Sequence, residues 1–254
     1  MTTKKTFYSN MDQQQTQWLV IGVSGVTCGG KTTLANNLLK FFRENPSSLG
    51  PHLKIDQVHL VSQDNYFLPV DDPRHVLIEH LNHINWEIIS SIDMERMCQD
   101  VMELLGANFL FYPTKQQQTT TQQQDELMHV DDNLFSEHHL PCSASSTGGT
   151  STALPQKLNI LIIEGFLIFN HTFTLDLCNI KFHVHLPYER CYERRQKRRY
   201  EPPDVLGYFE MVVWPLYDKH CKEFAKRRDI MYLNGEVARD KIFNFVLNAI
   251  REQL

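Results

Sequence analysis

The sequence predicts an α/β domain built on a five-stranded parallel sheet, and three observations support that fold class. Five short apolar runs alternate with segments whose apolar residues recur every three or four positions. The first run leads directly into a glycine-rich stretch, GVSGVTCGGKTT, at 22–33. Two acidic residues, Asp64 and Glu164, stand at the ends of the second and third runs. Alternating strands and helices are typical of parallel sheets, which bind ligands at the carboxyl ends of their strands.

The apolar runs are the candidate strands. The first and the third are nearly continuous Val, Ile and Leu, which is expected of strands covered on both faces. In chain order the five runs are WLVIGVS (18–24), VHLVSQ (58–63), NILIIEG (159–165), KFHVHL (181–186) and DIMYLN (229–234).

The segments between the runs show helical spacing. In the first, Leu34, Leu38 and Phe41 are separated by four and three residues, so they share one face of a helix. The same reasoning predicts helices over 32–42, 86–105, 188–199, 208–227 and from 236 to the C-terminus.

Length, charge and cysteine content restrict the class of protein. A chain of 254 residues with 42% hydrophobic content can form one large domain. A net charge of −5 argues against a general nucleic-acid binder. The six cysteines form no C-x-x-C pair, which favours free thiols in a reducing compartment. With no signal peptide and no apolar run near the ~18 residues of a membrane helix, we expect a cytoplasmic protein without a membrane or nucleic-acid partner.

One segment departs from the α/β pattern. Residues 113–157 are rich in Gln, Thr and Ser and carry few apolar side chains, so they cannot offset the entropy of ordering. We expect a disordered, low-complexity surface insertion that does not divide the domain. A docking role for its few central apolar residues is the alternative. Residues 1–17 are predicted to be a flexible tail, and 18–254 one domain.

The glycine-rich stretch predicts a phosphate-binding loop. It satisfies G-x-x-x-x-G-K-[ST] between a buried strand and an amphipathic helix, which is the context that this motif requires. Its backbone N–H groups and the helix N-terminus attract phosphate, Lys31 can reach the β- and γ-phosphates, and the Thr32 hydroxyl can ligate Mg²⁺. The alternative is a glycine-rich turn without a ligand. The predicted ATP-binding residues of the loop are Gly25, Val26, Thr27, Cys28, Gly29, Gly30, Lys31, Thr32 and Thr33.

The loop alone does not distinguish the classes of P-loop NTPase. The chain has no N-K-x-D guanine signature, and its third strand ends in a single acid, Glu164. Asp64 and Glu164 both follow parallel strands, so they should share an edge with the loop. One carboxylate can hold the metal and its waters, and the other can accept a proton from an attacking hydroxyl. Either acid could instead cap a following turn.

An arginine-rich helix precedes a proline pair. Arg194 and Arg198 are four residues apart and share a face, a position from which they could neutralise a triphosphate. A solvated surface helix with neighbouring glutamates is the competing interpretation. Pro202 and Pro203 end the helix, so a small helical lid is predicted at about 190–205.

These motifs together resemble the nicotinamide riboside kinases, a branch of the uridine-kinase-like P-loop kinases. The stretches that carry the resemblance cover most of the chain outside the tail and the insertion. They are GVSGVTCGGKTTLANNL, SQDNYF, ILIIEGFLIFN, LPYERCYERRQKRRYEPPD, GYFEMVVWPLY and MYLNG. The resemblance implies Mg²⁺- and ATP-dependent phosphorylation of the ribosyl 5′-hydroxyl of nicotinamide riboside, with nicotinic acid riboside as a second substrate, in NAD salvage.

The resemblance also implies roles for individual residues. Asp64 would be the catalytic base, and Thr32 and Glu164 would organise Mg²⁺. The implied lid arginines, Arg194, Arg195 and Arg198, would act with Lys31 on the phosphates, and Arg195 would also contact the ribose. Around the riboside, the implied substrate-binding residues are Asp64, Trp86, Glu87, Arg195, Tyr200 and Asp204.

This chain departs from the family at two of those positions. Trp86 stands where tyrosine is common, and Glu87 stands where aspartate is common. The relative preference for the two pyridine ribosides therefore stays open, as do the choice between ATP and GTP, the oligomeric state and the regulation. The alternative functions are a uridine- or cytidine-type nucleoside kinase and a nucleotide-binding adaptor without catalysis.

Overall fold

A parallel sheet forms the centre of the molecule. The computed structural model describes residues 17–115 and 155–254. In chain order the strands are β1 (Gln17–Gly25), β2 (Leu53–Ser62), β3 (Leu77–Ile78), β4 (His83–Ile84), β5 (Leu110–Phe111), β6 (Gln156–Glu164), β7 (Ile180–His185) and β8 (Ile230–Asn234). The main sheet has the order β2-β6-β1-β7-β8, and every pair in it is parallel.

The helices cover both faces of this sheet. They are α1 (Lys31–Glu44), α2 (Met94–Leu105), α3 (Thr172–Leu177), α4 (Tyr188–Gln196), α5 (Trp214–Phe224) and α6 (Arg239–Gln253). On one face, Leu38 of α1 and Ile250 of α6 pack against the sheet. On the other face, Met97 of α2 and Phe224 of α5 do the same. The central strands are therefore buried on both sides, which explains their continuous apolar sequences.

A third and smaller apolar cluster supports the arginine-rich helix α4. Cys191 of α4 packs with Val26, Tyr208 and Val213, all of which are buried. This cluster joins the end of β1 to the segment after α4. It gives the residues on α4 a fixed base beside the carboxyl edge of the sheet.

The five predicted strands all occur, but several predicted boundaries are wrong. β2 begins at residue 53 rather than 58, with a register irregularity between Ile55 and Val58 that interrupts the alternating pattern. β6 begins at Gln156, so Gln156 and Lys157 belong to the sheet and not to the insertion. β5, which the sequence did not predict, extends the sheet beside the start of β1. Gln17 begins β1 and so does not belong to the predicted tail. Residues 1–16 and 116–154, which hold the rest of that tail and most of the predicted insertion, lie outside the described residues.

The helix predicted over 86–105 is shorter than its apolar spacing suggests. It begins at Met94, because Asp93 accepts a hydrogen bond from the backbone N–H of Arg96 and so caps the helix. Residues 86–93 form a loop with one 3-10 turn, Ile89–Ser91. The sequence also missed the short helix α3 and the hairpin formed by β3 and β4.

The helix predicted over 208–227 has two parts. A π-helical turn, Phe209–Val213, precedes α5, and the Trp214 N–H bonds to the Phe209 carbonyl five residues earlier. Pro215 follows at the start of α5, where its missing N–H costs the least. The arginine-rich helix ends at Gln196 instead of 199. Within residues 17–115 and 155–254, no helix has the length and apolar character needed to cross a bilayer.

Candidate active site

The glycine-rich loop joins β1 to α1 at the carboxyl edge of the sheet. Gly25 has φ 143°, and a Cβ there would lie 2.2 Å from the Val184 carbonyl oxygen, so only glycine fits. Gly30, with φ 100°, turns the chain into α1. Lys31 Nζ donates to the Val26 carbonyl at 2.9 Å, which folds the lysine back over the loop. The first turn of α1 has no acidic residue, so its positive end favours an anion.

The strand register brings Glu164 beside the loop. Glu164 pairs in register with Val23 on one side and with Ser62 on the other. Its carboxylate is 1% exposed and accepts hydrogen bonds from Thr32 Oγ1 at 3.2 Å and Ser62 Oγ at 2.5 Å. Burial raises the pKa of Glu164, and the Ser62 hydrogen bond opposes that shift.

These three oxygen-bearing side chains suit a hard cation. Carboxylate and hydroxyl oxygens, together with water, are the ligands that Mg²⁺ takes in proteins. Thr32 and Glu164 are the predicted metal residues, and the structure brings them into contact. Ser62 was missed by sequence reasoning, although its position at the end of β2, two residues before Asp64, is a usable signal.

A cavity of about 290 Å³ opens in front of this edge. Asp64 lines it from a 3-10 turn, Gln63–Tyr66, and its side chain is exposed. The turn is anchored by the buried Gln63, whose Oε1 accepts a hydrogen bond from the Leu167 N–H at 2.9 Å. The predicted site residues that line this cavity are Thr27, Cys28, Lys31, Thr32, Asp64, Trp86, Glu87, Arg195, Arg198, Tyr200 and Asp204.

Four aromatic residues line the same cavity, and two of them, Trp86 and Tyr200, are predicted site residues. The Trp86 backbone N–H donates to the Tyr208 hydroxyl at 2.9 Å, and its ring meets His75 edge to face at 4.6 Å. His75 is held in turn by the Pro69 carbonyl, 2.8 Å from its Nε2. The Tyr200 ring lies under the Arg195 guanidinium, 4.5 Å from ring centroid to Cζ. Both aromatic side chains are therefore held in place by contacts with the protein.

Arg195 connects the residues of the cavity wall. Its side chain is 7% exposed, and it binds both oxygens of Asp204, with distances of 2.6 Å from Nε and 3.1 Å from Nη2. Nη2 also lies 3.2 Å from Glu87 Oε1. Burial raises the pKa of Glu87, an effect that the charge of Arg195 opposes. Most of the Arg195 donors are thus used within the protein, where they orient the Glu87 and Asp204 carboxylates.

A second groove, of about 420 Å³, lies on the other side of the glycine-rich loop. Arg194 crosses it, donating from Nη1 to the Cys28 carbonyl at 3.3 Å and from Nη2 to the Gly235 carbonyl at 3.0 Å. Gly29, Gly30 and Thr33 line the groove, as do residues 235–239 between β8 and α6, which the sequence did not single out. Cys28 lines both spaces.

The remaining predicted residues have less direct positions. Gly25 and Val26 are buried beneath the loop. Arg198 lies 5.5 Å from the Tyr200 ring centroid, and its guanidinium reaches the Cys28 sulfur at 4.0 Å. The arrangement can hold a polyphosphate and a metal on the loop, and a flat polar molecule in the cavity.

Comparison with known proteins agrees with this arrangement. The chain is 31% identical over 239 residues to nicotinamide riboside kinase 1 of Rattus norvegicus. This alignment covers 92% of this chain and 95% of the rat protein. It is 22% identical over 226 residues to a uridine kinase of Streptococcus pneumoniae (strain Hungary19A-6), in an alignment that covers 87% of this chain and 88% of the uridine kinase. A deoxyadenosine kinase structure from M. mycoides, 12% identical, covers 91% of this chain and 98% of its own, but its TM-score of 0.40 is too low to support a conclusion. No family model matches the chain.

Proposed function

The chain belongs to the nicotinamide riboside kinase family, and from that membership we propose that it transfers the γ-phosphoryl group of ATP to the 5′-hydroxyl of nicotinamide riboside. The product is nicotinamide mononucleotide, and the reaction serves NAD salvage. Nicotinic acid riboside is the second expected substrate, and the cytoplasm is the expected location. Residues 18–254 would act as one kinase domain, with a lid at about 190–205.

One observation supports this proposal best. A single cavity is lined at once by residues proposed to hold phosphate, Lys31 and Thr32, by a candidate base, Asp64, and by aromatic residues that include Trp86 and Tyr200. A hydroxyl that enters beside Asp64 would therefore meet a phosphate held on the loop. A planar ring on the same molecule would meet the aromatic side chains.

Asp64 is the proposed proton acceptor. Its exposed carboxylate lines the cavity, and the Gln63 anchor fixes the turn that carries it. Phosphoryl transfer depends mainly on position and charge, so a base of this kind contributes about 10²- to 10⁴-fold. Glu87 and Asp204, held by Arg195, are proposed to bind the ribose side of the cavity.

Thr32 and Glu164, with Ser62 behind them, would hold Mg²⁺ or its water ligands. The ion, when bound, neutralises charge on the β- and γ-phosphates. Lys31 would exchange its contact with the Val26 carbonyl for the phosphates. Arg194 and Arg198, which both contact Cys28, would likewise exchange those contacts for the phosphates.

The aromatic side chains would recognise the charged pyridinium ring. A cation close to the face of tryptophan or tyrosine is attracted by the ring quadrupole. A pyrimidine base would instead require hydrogen-bond partners along its edge. This difference favours the pyridine ribosides over uridine.

A coupled ADP-release assay with Mg²⁺-ATP tests the proposal. The panel would contain nicotinamide riboside, nicotinic acid riboside, uridine and cytidine, and Lys31→Ala provides the blank. We expect turnover of the pyridine ribosides. Turnover of pyrimidine nucleosides alone would support a kinase activity and reject the pyridine ribosides as its substrates. Nucleotide binding without any turnover would support the adaptor function.

A further inference from the structure

Thr27 belongs to the glycine-rich loop, but its side chain faces the cavity and not the groove. It lines the cavity together with Asp64 and Tyr200. The groove on the other side is lined by the loop from Cys28 onward. The loop motif accounts for the Thr27 backbone only, since its position is an unspecified one in G-x-x-x-x-G-K-[ST].

The Thr27 hydroxyl contacts Arg195 and Tyr200 of the cavity wall, and it lies 3.7 Å from the sulfur of its neighbour Cys28. Arg195 Nη1 donates to Thr27 Oγ1 at 3.2 Å. The Tyr200 hydroxyl lies 3.3 Å from the same oxygen. Thr27 therefore holds both the arginine that orients Glu87 and Asp204 and one of the aromatic residues.

The Thr27 backbone is tied to the lid helix as well. The buried Cys191 of α4 donates from its sulfur to the Thr27 carbonyl at 3.2 Å. The same helix carries Arg195. Side-chain and backbone contacts thus connect one loop residue to the element that forms the cavity wall.

We propose that Thr27 couples the two binding sites, so that a nucleoside triphosphate on the loop and a riboside in the cavity bind cooperatively. Phosphate fixes the loop through its backbone N–H groups, and the Thr27 hydroxyl is then fixed with it. Arg195 and Tyr200, which already contact that hydroxyl, would then be held more firmly in the positions that face the riboside, so the riboside would have less ordering entropy to overcome. Linkage requires the riboside to strengthen nucleotide binding by the same factor.

The coupling rests on the proposed function only in taking the two ligands to be a triphosphate and a nucleoside. Threonine and valine have nearly the same shape, so Thr27→Val removes the hydroxyl without reshaping the loop. Thr27→Ser keeps the hydroxyl and serves as the matched control. Tyr200→Phe removes the Tyr200 hydroxyl, with its contacts to Thr27 and to the Cys28 sulfur, and leaves the Arg195 bond to Thr27 in place.

Isothermal titration calorimetry measures the riboside Kd with and without a non-hydrolysable ATP analogue. In the unaltered protein we expect the analogue to lower the riboside Kd about fivefold or more, within the usual range of coupling between sites. In Thr27→Val the two Kd values should become nearly equal, and in Thr27→Ser the difference should persist. A Thr27→Val protein that keeps the full factor would overturn the inference, as would an unaltered protein without coupling.

The same titrations separate this inference from the proposed function. If uridine binds and nicotinamide riboside does not, the substrate proposal fails, and the coupling factor is then measured with uridine. If the ATP analogue strengthens uridine binding in the unaltered protein, and Thr27→Val removes that effect, the inference is supported even in that case. Failure of every nucleoside to bind would overturn both. Thermal unfolding of each variant checks that its fold is intact.

Discussion

At the scale of single residues, two carboxylates at one sheet edge have opposite surroundings. Asp64 is exposed in the cavity, whereas Glu164 is 1% exposed and accepts bonds from Thr32 and Ser62. An exposed carboxylate can meet an incoming hydroxyl. A buried one with fixed hydroxyl partners is oriented in advance, which suits the ordering of a metal ion and its waters.

Replacing Asp64 by Asn should remove the proposed base and leave the shape of the cavity unchanged. We expect kcat to fall by about 10²- to 10⁴-fold, because proton acceptance contributes that much. The Kd for ATP should stay close to its original value, since the Asp64 carboxylate makes none of the contacts that hold Lys31 and Thr32 in the loop. Steady-state kinetics and calorimetry provide the two numbers. A variant with near-normal kcat would exclude Asp64 from the chemistry.

Replacing Trp86 by Ala should weaken riboside binding selectively. Removing one aromatic contact with a cation costs about 1–2 kcal/mol, so the riboside KM should rise about tenfold. The KM for ATP should change little, because Trp86 lines only the cavity. Trp86→Tyr is the control and should restore most of the affinity. Equal changes in both KM values would place Trp86 outside the riboside site.

The sequence predicted that Asp64 and Glu164 lie at the carboxyl edge of the sheet, because each follows an apolar run and the runs mark where parallel strands end. It did not assign a role to Ser62, whose position before Asp64 was a signal but whose contact with Glu164 depends on the pairing of β2 with β6. It also could not say which way the Thr27 side chain points. That direction depends on α4, which lies more than 150 residues further along the chain.

At the scale of elements, the glycine-rich loop is fitted against a neighbouring strand. Gly25 has a positive φ, and a Cβ would also meet backbone atoms of Val184. Gly25→Ala should therefore lower the free energy of unfolding by about 2–4 kcal/mol, from backbone strain plus overpacking. Gly50 also has a positive φ but open space around it, so Gly50→Ala should cost only about 1 kcal/mol.

Urea unfolding curves of the two alanine variants provide the comparison. Both variants lose free energy of unfolding because alanine disfavours a positive φ. The additional loss in Gly25→Ala measures the steric contact of the new Cβ with Val184 of β7. Equal losses in the two variants would show that backbone conformation alone makes glycine necessary at residue 25.

The wrong boundary of the helix over 86–105 has a local cause. Ile88, Ile89 and Ile92 fit a helical period, but their backbone forms part of the loop beside the cavity. The Ser91 hydroxyl donates to the Asn85 carbonyl at 2.6 Å, and Ile92 bridges to Phe67. Of the three isoleucines only Ile92 is buried, so their helical spacing does not reflect one buried face.

At the scale of the whole molecule, the position of the site follows from strand order. The sequence predicted five parallel strands, and all five pair as parallel neighbours. The order β2-β6-β1-β7-β8 places β1 between the strands that carry Glu164 and Val184. This order depends on pairings between distant parts of the chain, for which apolar runs contain no signal.

Buried His183 should make stability depend on pH. It lies at the centre of β7, and burial lowers its pKa to about 3, with further lowering by Lys31 and His185. A folded pKa below the usual 6.5 stabilises the fold above pH 6.5, and this contribution is lost as pH falls towards 3. Each pH unit in that window should cost about 1.4 kcal/mol.

Urea unfolding at several pH values between 6.5 and 4 measures this slope. His183→Gln should flatten the curve, whatever its effect on stability at neutral pH. Exposed His80→Gln is the matched control and should keep the original slope. An unchanged slope in His183→Gln would assign the acid sensitivity to other groups.

The starts of β1, β2 and β6 lie at the edge of the sheet opposite the glycine-rich loop. Leu110 pairs with Gln17 at the start of β1, and Gln156 pairs with Leu53 at the start of β2. β1 has nine residues, so its two ends are about 25 Å apart. A fluorophore or a surface tether attached at residue 155, directly before β6, would therefore be joined to the protein at the edge opposite the chemistry. Such a position suits immobilisation of the enzyme in single-molecule work.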